Sequence, residues 1–204
     1  MIIPMEYTSL GYEFGQSTNT GVLHSGTDLN WGSGNDDLGK DCKAMAAGTV
    51  VYSDLPASSG WGNMIVIHHP QFNIWTRYAH LQDRLINVGD QVNEGQLIGH
   101  VGNSGGNWSA HLHWDVIIKK LASWREYTEG FSQEKLEEFY TDPIIYLSSN
   151  PTPMPDDWKT EARDWAMQNG VSNGERPDDP ITRVEVWKTL QNYHDRFHSD
   201  NDPQ

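Results

Sequence analysis

The sequence predicts a mainly β protein, an antiparallel sheet core followed by a small C-terminal pair of α-helices, and three observations carry that expectation. Residues 45–118 hold short runs rich in β-branched and aromatic residues: GTVVYSD, GNMIVIHH, IWTRYAHL, QLIGHVG and HLHWDVII. Gly, Pro, Asn and Asp separate these runs at close intervals, the signature of antiparallel strands joined by tight turns. The third observation is a change of pattern after them. SQEKLEEFY, from about Ser132 to Tyr140, reads as a short helix that ends ahead of Pro143. SSNPTPMPDD at 148–157 has prolines at 151, 153 and 155, the composition of a linker. Beyond it Trp158, Ala162, Trp165 and Ala166 recur at helical spacing, with Gly170 as the stop. A second helix is expected after Pro180, where Thr182 and Glu185 form a capping-box pattern ahead of Val186, Leu190 and Tyr193 or His194. The expected organisation is a first domain over 1–148, a linker over 149–157 and a helical module over 158–204. So small a helical module buries little apolar surface by itself and needs a partner face.

Composition narrows the function. The 204 residues suffice for one domain with a sizeable core and a small appendage. No stretch has the length and apolarity of a transmembrane helix, and MIIPMEYTSLGYEFG lacks the basic start and apolar run of a secretory signal. Cys42 is the single cysteine, which excludes an intrachain disulfide and a thiolate-rich zinc finger. Any metal must therefore be held by histidine and carboxylate. With 28 acidic against 14 basic side chains the formal charge is −14. That balance argues against nonspecific binding to nucleic acid or an anionic membrane, and favours solubility.

In SAHLHWDVII, strand alternation puts His111, His113 and Asp115 on one face and Leu112, Trp114 and Val116 on the other. By itself that spacing fits a polar strand face as well as half of a metal site. HSGTD adds an imidazole, His24, and a carboxylate, Asp28, in a glycine-containing stretch able to bend around an ion. His24, Asp28 and His113 make a three-ligand nitrogen and oxygen set that leaves a fourth tetrahedral position for water, the arrangement of a catalytic zinc. His80, in RYAHL, and His111 are then available beside the open position.

The sequence resembles the lysostaphin-type (LytM-like) zinc endopeptidases, which cleave peptidoglycan cross-bridges and stem peptides. The matching pieces run in family order: FG at 14–15, HSGTD at 24–28, AAGTVVYS at 46–53, GWGNMIVIHH at 60–69, TRYAHL at 76–81, VGDQVNEGQLIGHVGNSG at 88–105 and HLHWDV at 111–116. DPIIYL at 142–147 resembles the usual end of that domain. The resemblance implies the lysostaphin-type peptidase fold and one zinc ion (Zn2+) per chain on His24, Asp28 and His113. It also implies that His80 and His111 act on the water and the oxyanion, without dividing the two roles between them. Zinc chemistry agrees, since the ion brings the pKa of its water to about 7 and polarises the scissile carbonyl. Peptidoglycan is the implied partner, and release of a leaderless lysin through another protein's pore, as in a bacteriophage, or a virion-associated protein, is the expected setting.

Other residues have plainer readings. Asp115 is expected to serve a neighbouring polar group on its strand face, and His68, His69 and His100 to be structural, the last without a partner at a telling spacing. His194 and His198 read as a solvated helix end. The acidic run GSGNDDLGKD at 32–41 lacks the calcium-loop pattern and is expected to be a mobile groove-edge loop. Trp31, Trp61 and Trp108, in glycine-rich turns, fit a substrate groove and loop anchoring equally. Two further functions compete with the peptidase: a non-catalytic, hydrolase-activating relative, against which stands the presence of all five site residues, and a biotinyl or lipoyl carrier, suggested by VGDQVNEGQLIGHV but lacking the lysine such a hairpin needs. The tail ARDWAMQNGVSNGERPDDPITRVEVWKTL resembles part of an S-layer-homology module, with TRVE as its signature. That likeness implies binding to cell-wall polysaccharide; a helical pair used for packing or dimerisation fits the segment as well.

Overall fold

The computed structural model describes residues 1–54 and 60–150. The chain divides into two units, Met1–Pro151 and Thr152–Gln204. The linker from Pro151 onward and both expected helices of 158–204 lie outside the described residues, as do His194 and His198.

Strands β1 (Ser9–Leu10), β2 (Thr27–Asn30), β3 (Asp41–Lys43), β4 (Gly48–Asp54), β5 (Asn63–His69) and β6 (Ile74–Leu81) come first. They are followed by β7 (Asp83–Arg84), β8 (Gln91–Val92), β9 (Leu97–His100), β10 (Leu112–Ile117), helix α1 (Gln133–Phe139), β11 (Tyr140–Thr141) and helix α2 (Pro143–Ser149). The main sheet runs β1-β2-β10-β6-β5-β4-β8, with β11 also on β10, and a smaller sheet runs β3-β9-β7. Every pairing is antiparallel. The mainly β, antiparallel architecture is therefore the one the turn-punctuated runs predict. Each of those runs carries a strand; the pieces of two or three residues, and β2, are too short to show a period.

Leu29, Ile65, Ile67, Tyr78, Leu112, Trp114 and Val116 of the main sheet pack with Cys42 of β3 and Ile98 of β9 in one buried cluster. A second cluster, Ile117, Leu121, Leu136 and Tyr140, seats α1 and β11 against β10. All six residues of β10 are buried, so its polar face is as enclosed as its apolar one. Ser132 caps α1, accepting from Lys135 N at 3.2 Å. Pro143, expected only to end the preceding helix, is the first residue of α2; Asp142 accepts from Ile144 N and Ile145 N at 2.8 and 3.0 Å. An Asp cap followed by proline at the first helical position is a start signal.

His69 sits in the core with Nδ1 2.8 Å from Ala47 O and Nε2 2.7 Å from Thr76 Oγ1. A carbonyl accepts only, so Nδ1 carries a proton. Burial pushes this histidine down to about 4. The unfolded chain takes up its proton near the ordinary value of about 6.5, so stability falls as pH drops from about 6.5 to 4, by about 3 kcal/mol from this group. In urea unfolding, His69→Gln is expected to flatten the acid limb over that window relative to the native chain, at whatever stability it starts from.

Candidate metal centre

His24 lies in the loop entering β2, Asp28 on β2 and His113 on β10, where Asp28 and His113 are directly opposed across the ladder. HSGTD is thus not wholly a bend, because its last two residues are already strand. His24 Nε2 and His113 Nδ1 are 2.8 Å apart, and Asp28 Oδ1 is 3.1 Å from each. All three side chains are nearly buried. Burial alone would favour a neutral Asp28, yet His113 and His24 hold its carboxyl well below the usual range. Against the same burial, Asp115 and Asp28 push His113 up to about 9. A carboxylate held ionised between two imidazoles, one of them raised toward its cationic form, marks a pocket that attracts positive charge, whether a proton or a metal ion.

The donor set fits zinc. His113 turns Nδ1 toward His24 Nε2 and Asp28 Oδ1, at 2.8 and 3.1 Å, and Nε2 toward the Asp115 carboxylate, 3.1 Å from Oδ1, so an ion that displaces the proton from Nδ1 meets a ring whose other nitrogen faces an anion. A tetrahedron of 2.0–2.1 Å bonds has edges of roughly 3.3 Å, within a few tenths of an ångström of the observed triangle's sides. Among the described residues these three form the one cluster of His, Cys, Asp or Glu able to hold an ion.

The other two histidines stand alongside. His80 is 4.8 Å from His111 and 5.9 Å from His113 between ring centroids, and His111 Nε2 is 3.9 Å from Asp28 Oδ1. Both have Nδ1 on a carbonyl, His80 on Ser104 O at 3.1 Å and His111 on Ser109 O at 2.9 Å, which leaves the lone pair on Nε2. Burial lowers His80 well below its ordinary value, and the neighbouring His111 and His113 push the same way, so the ring is neutral. Its backbone is unusual too, with φ of 60° where the β5–β6 register slips between Asn63 and Ile65. Arg77 and Ala79 share the face of His113, and simple alternation would send His80 to the opposite side. The bulge turns it back toward His113 and Asp28.

A cavity of about 390 Å³ opens beside this cluster, bordered by Tyr12, Gln16, Asp28, Asn30, Trp108 and His111. Trp108, 40% exposed, sets its ring 4.9 Å from His80. Trp61 is buried behind the site, 5.0 Å from the His113 ring and stacked on Tyr127 at 4.9 Å. Trp31 is elsewhere: it borders a second hollow with Ile3, Met5 and Tyr7 and carries Lys40 Nζ 3.9 Å over its ring. Of the three tryptophans, one borders the groove, one backs it and one lies outside it.

The family model described as peptidase family M23 matches residues 22–123, half of the chain. The chain belongs to peptidase family M23. The catalytic domain of the antimicrobial peptidase lysostaphin from Staphylococcus simulans is similar to this M23 chain in structure, with a TM-score of 0.50 and 26% identity, over 69% of this chain and 92% of that one. Among curated relatives, the peptidoglycan DD-endopeptidase ShyA of Vibrio cholerae is 41% identical over 103 residues, 47% of this chain and 20% of the relative. The murein hydrolase activator EnvC of Escherichia coli is 35% identical over 78 residues, 38% of this chain and 18% of the relative. This M23 chain thus spans about a fifth of the length of those relatives.

Several single residues depart from expectation. His100 does have a partner, the Asp83 carboxylate at 2.9 Å, brought in by the β7–β9 ladder. The acidic 32–41 segment is tied down: Asn35 Oδ1 accepts from Ala110 N at 2.8 Å, just before His111, and Asp37 is buried, accepting from Trp31 N at 3.4 Å. His68, by contrast, is structural as expected, stacking on Trp75 at 4.8 Å. Sequence reasoning did not single out Arg77 or Ser104. Ser104 Oγ accepts from Asn63 N at 2.8 Å and donates to Leu81 O at 2.6 Å, while its carbonyl receives the His80 ring. Arg77 carries no signal of its own in the sequence, because its partner Asp115 is brought to it only by the β6–β10 ladder.

Proposed function

We propose that this chain is a zinc-dependent endopeptidase that hydrolyses peptide bonds in bacterial peptidoglycan. The convergence of His24, Asp28 and His113 beside two histidines with Nε2 lone pairs, at the edge of an open groove, is the observation that carries the reading. A zinc ion on those three residues supplies electrophilic polarisation of the scissile carbonyl and acidifies water. His80 and His111 in their resting tautomers are proton acceptors at Nε2, so either can take a proton from the attacking water. The ring that has done so becomes an N–H donor, able to face the oxyanion and then return the proton to the leaving amine. Trp108 offers a flat apolar wall to the peptide, and Asn30 and Gln16 offer amides. The peptidoglycan substrate is supported by the names of ShyA and EnvC.

Digesting purified sacculi from several bacterial types and reading the released ends by mass spectrometry tests this. New amino and carboxyl termini within the peptide part are expected, lost on chelation and restored by zinc. A fully zinc-loaded protein that releases none would overturn the peptidase reading. The similarity to EnvC supports the second reading, a non-catalytic activator; that protein would bind sacculi, release nothing and stimulate a separate hydrolase.

A further inference from the structure

We propose that Arg77 and Asp115 are positioning residues that fix the tautomer and aim of His113. The inference rests on His24, Asp28 and His113 being metal ligands. Asp115 and Arg77 are directly opposed on β10 and β6, and both are fully buried. The carboxylate is divided between two tasks. Oδ2 accepts from Arg77 Nε, while Oδ1 lies 3.1 Å from His113 Nε2. Arg77 in turn is held on every side. Nη1 donates to Trp124 O at 3.1 Å and Glu126 O at 3.4 Å, Nη2 donates to Ser25 Oγ at 3.2 Å, and the guanidinium lies 3.8 Å over the Trp61 ring.

A buried ion pair is a poor device for stability, because desolvation offsets most of its attraction. Its value here is geometric. The contacts of Arg77 run from Ser25, the neighbour of His24, to Asp115, the partner of His113, so one side chain keeps two ligand-bearing segments in register. Only a planar fork with several donors spans those partners; an ammonium group is a single point charge. Asp115 then decides which nitrogen of His113 is available. An acceptor beside Nε2 keeps the proton there, and Nδ1 presents its lone pair to the ion.

Asp115→Asn tests the idea with almost no change of shape. The amide has one oxygen, and the cationic donor of Arg77 claims it. Its NH2 group is left facing His113 Nε2, which favours the lone pair on Nε2 and the proton on Nδ1, the wrong tautomer for binding. Zinc affinity, measured on the full chain by competition with a chelating dye, is expected to fall about 10- to 100-fold. The visible spectrum of the cobalt-loaded protein is expected to change as His113 leaves the ion. Arg77→Lys, which keeps the charge but drops the fork, is expected to fall between native and Asp115→Asn, and it serves alone if Asp115→Asn does not fold. Zinc affinity within twofold of native, with an unchanged cobalt spectrum, would overturn the proposal. Neither readout uses turnover, so a chain that binds zinc but cleaves nothing leaves the inference standing. If His113→Ala keeps zinc, the metal-centre reading itself has failed.

Discussion

His113→Ala is expected to bind no zinc and to cleave nothing, whereas His111→Ala and His80→Ala keep the ion and lose at least about 10²-fold in rate. The difference follows from position. His113 Nδ1 is a corner of the triangle it forms with His24 Nε2 and Asp28 Oδ1, 2.8 and 3.1 Å from the other two corners. His111 and His80 approach that triangle from the side, with their Nδ1 atoms already committed to carbonyls. Metal content by elemental analysis and rate on a soluble cross-bridge peptide separate the classes; zinc loss in His80→Ala, or full turnover in His111→Ala, would contradict the assignment. His80 adds a second readout through its left-handed backbone. A residue with Cβ is disfavoured there by roughly 1–2 kcal/mol per residue and glycine is not. His80→Gly is therefore expected to be as inactive as His80→Ala but more stable by about 1 kcal/mol in chemical unfolding.

Gly26→Ala is expected to cost about 3 kcal/mol, the upper end of overpacking, and to weaken zinc binding in the same step. A methyl group at Gly26 would lie 2.2 Å from the Trp114 carbonyl oxygen and 2.7 Å from Asp115 Oδ1. Neither obstacle can withdraw, since β10 is paired on both sides and buried throughout. The loop must lift instead. It carries His24 two residues before and Asp28 two residues after, so the ligands separate from His113 as the clash is relieved. Urea unfolding and zinc competition on one preparation test the coupling; normal melting with normal zinc affinity would show that the loop yields without disturbing the site.

The long strands were legible because their composition and turn residues belong to the segments themselves. The cluster of His24, Asp28 and His113 was legible for a similar reason: few residue types can coordinate zinc, and HSGTD and HLH each bring a pair of such groups into short reach. What escaped was decided by neighbours distant in sequence. Arg77 reads as an ordinary strand charge until β6 is laid beside β10 and it meets Asp115. His100 and Asp83 pair through two strands too short to announce themselves. Trp31, Trp61 and Trp108 occupy similar glycine-rich turns, and only the tertiary packing assigns one to the groove, one behind it and one outside it. The bulge that redirects His80 is likewise a register slip between two strands, with no mark on the strand itself.

The order of strands in the main sheet also bears on how the protein behaves at high concentration. Its six- to eight-residue strands β5, β6 and β10 lie in the interior, β4 is covered by β8 only at Gly48 and Thr49, and the path ends in β1 and β8, of two residues each. In the smaller sheet the outer strands β3 and β7 have three and two residues. Among the described residues, then, strand addition by a neighbouring molecule finds only short footholds. The −14 charge opposes approach at neutral pH as well. Together these features protect the folded domain against amyloid-like, edge-to-edge growth, and they place that hazard in the unfolded chain, where IVIHH and DVII lose their neighbours.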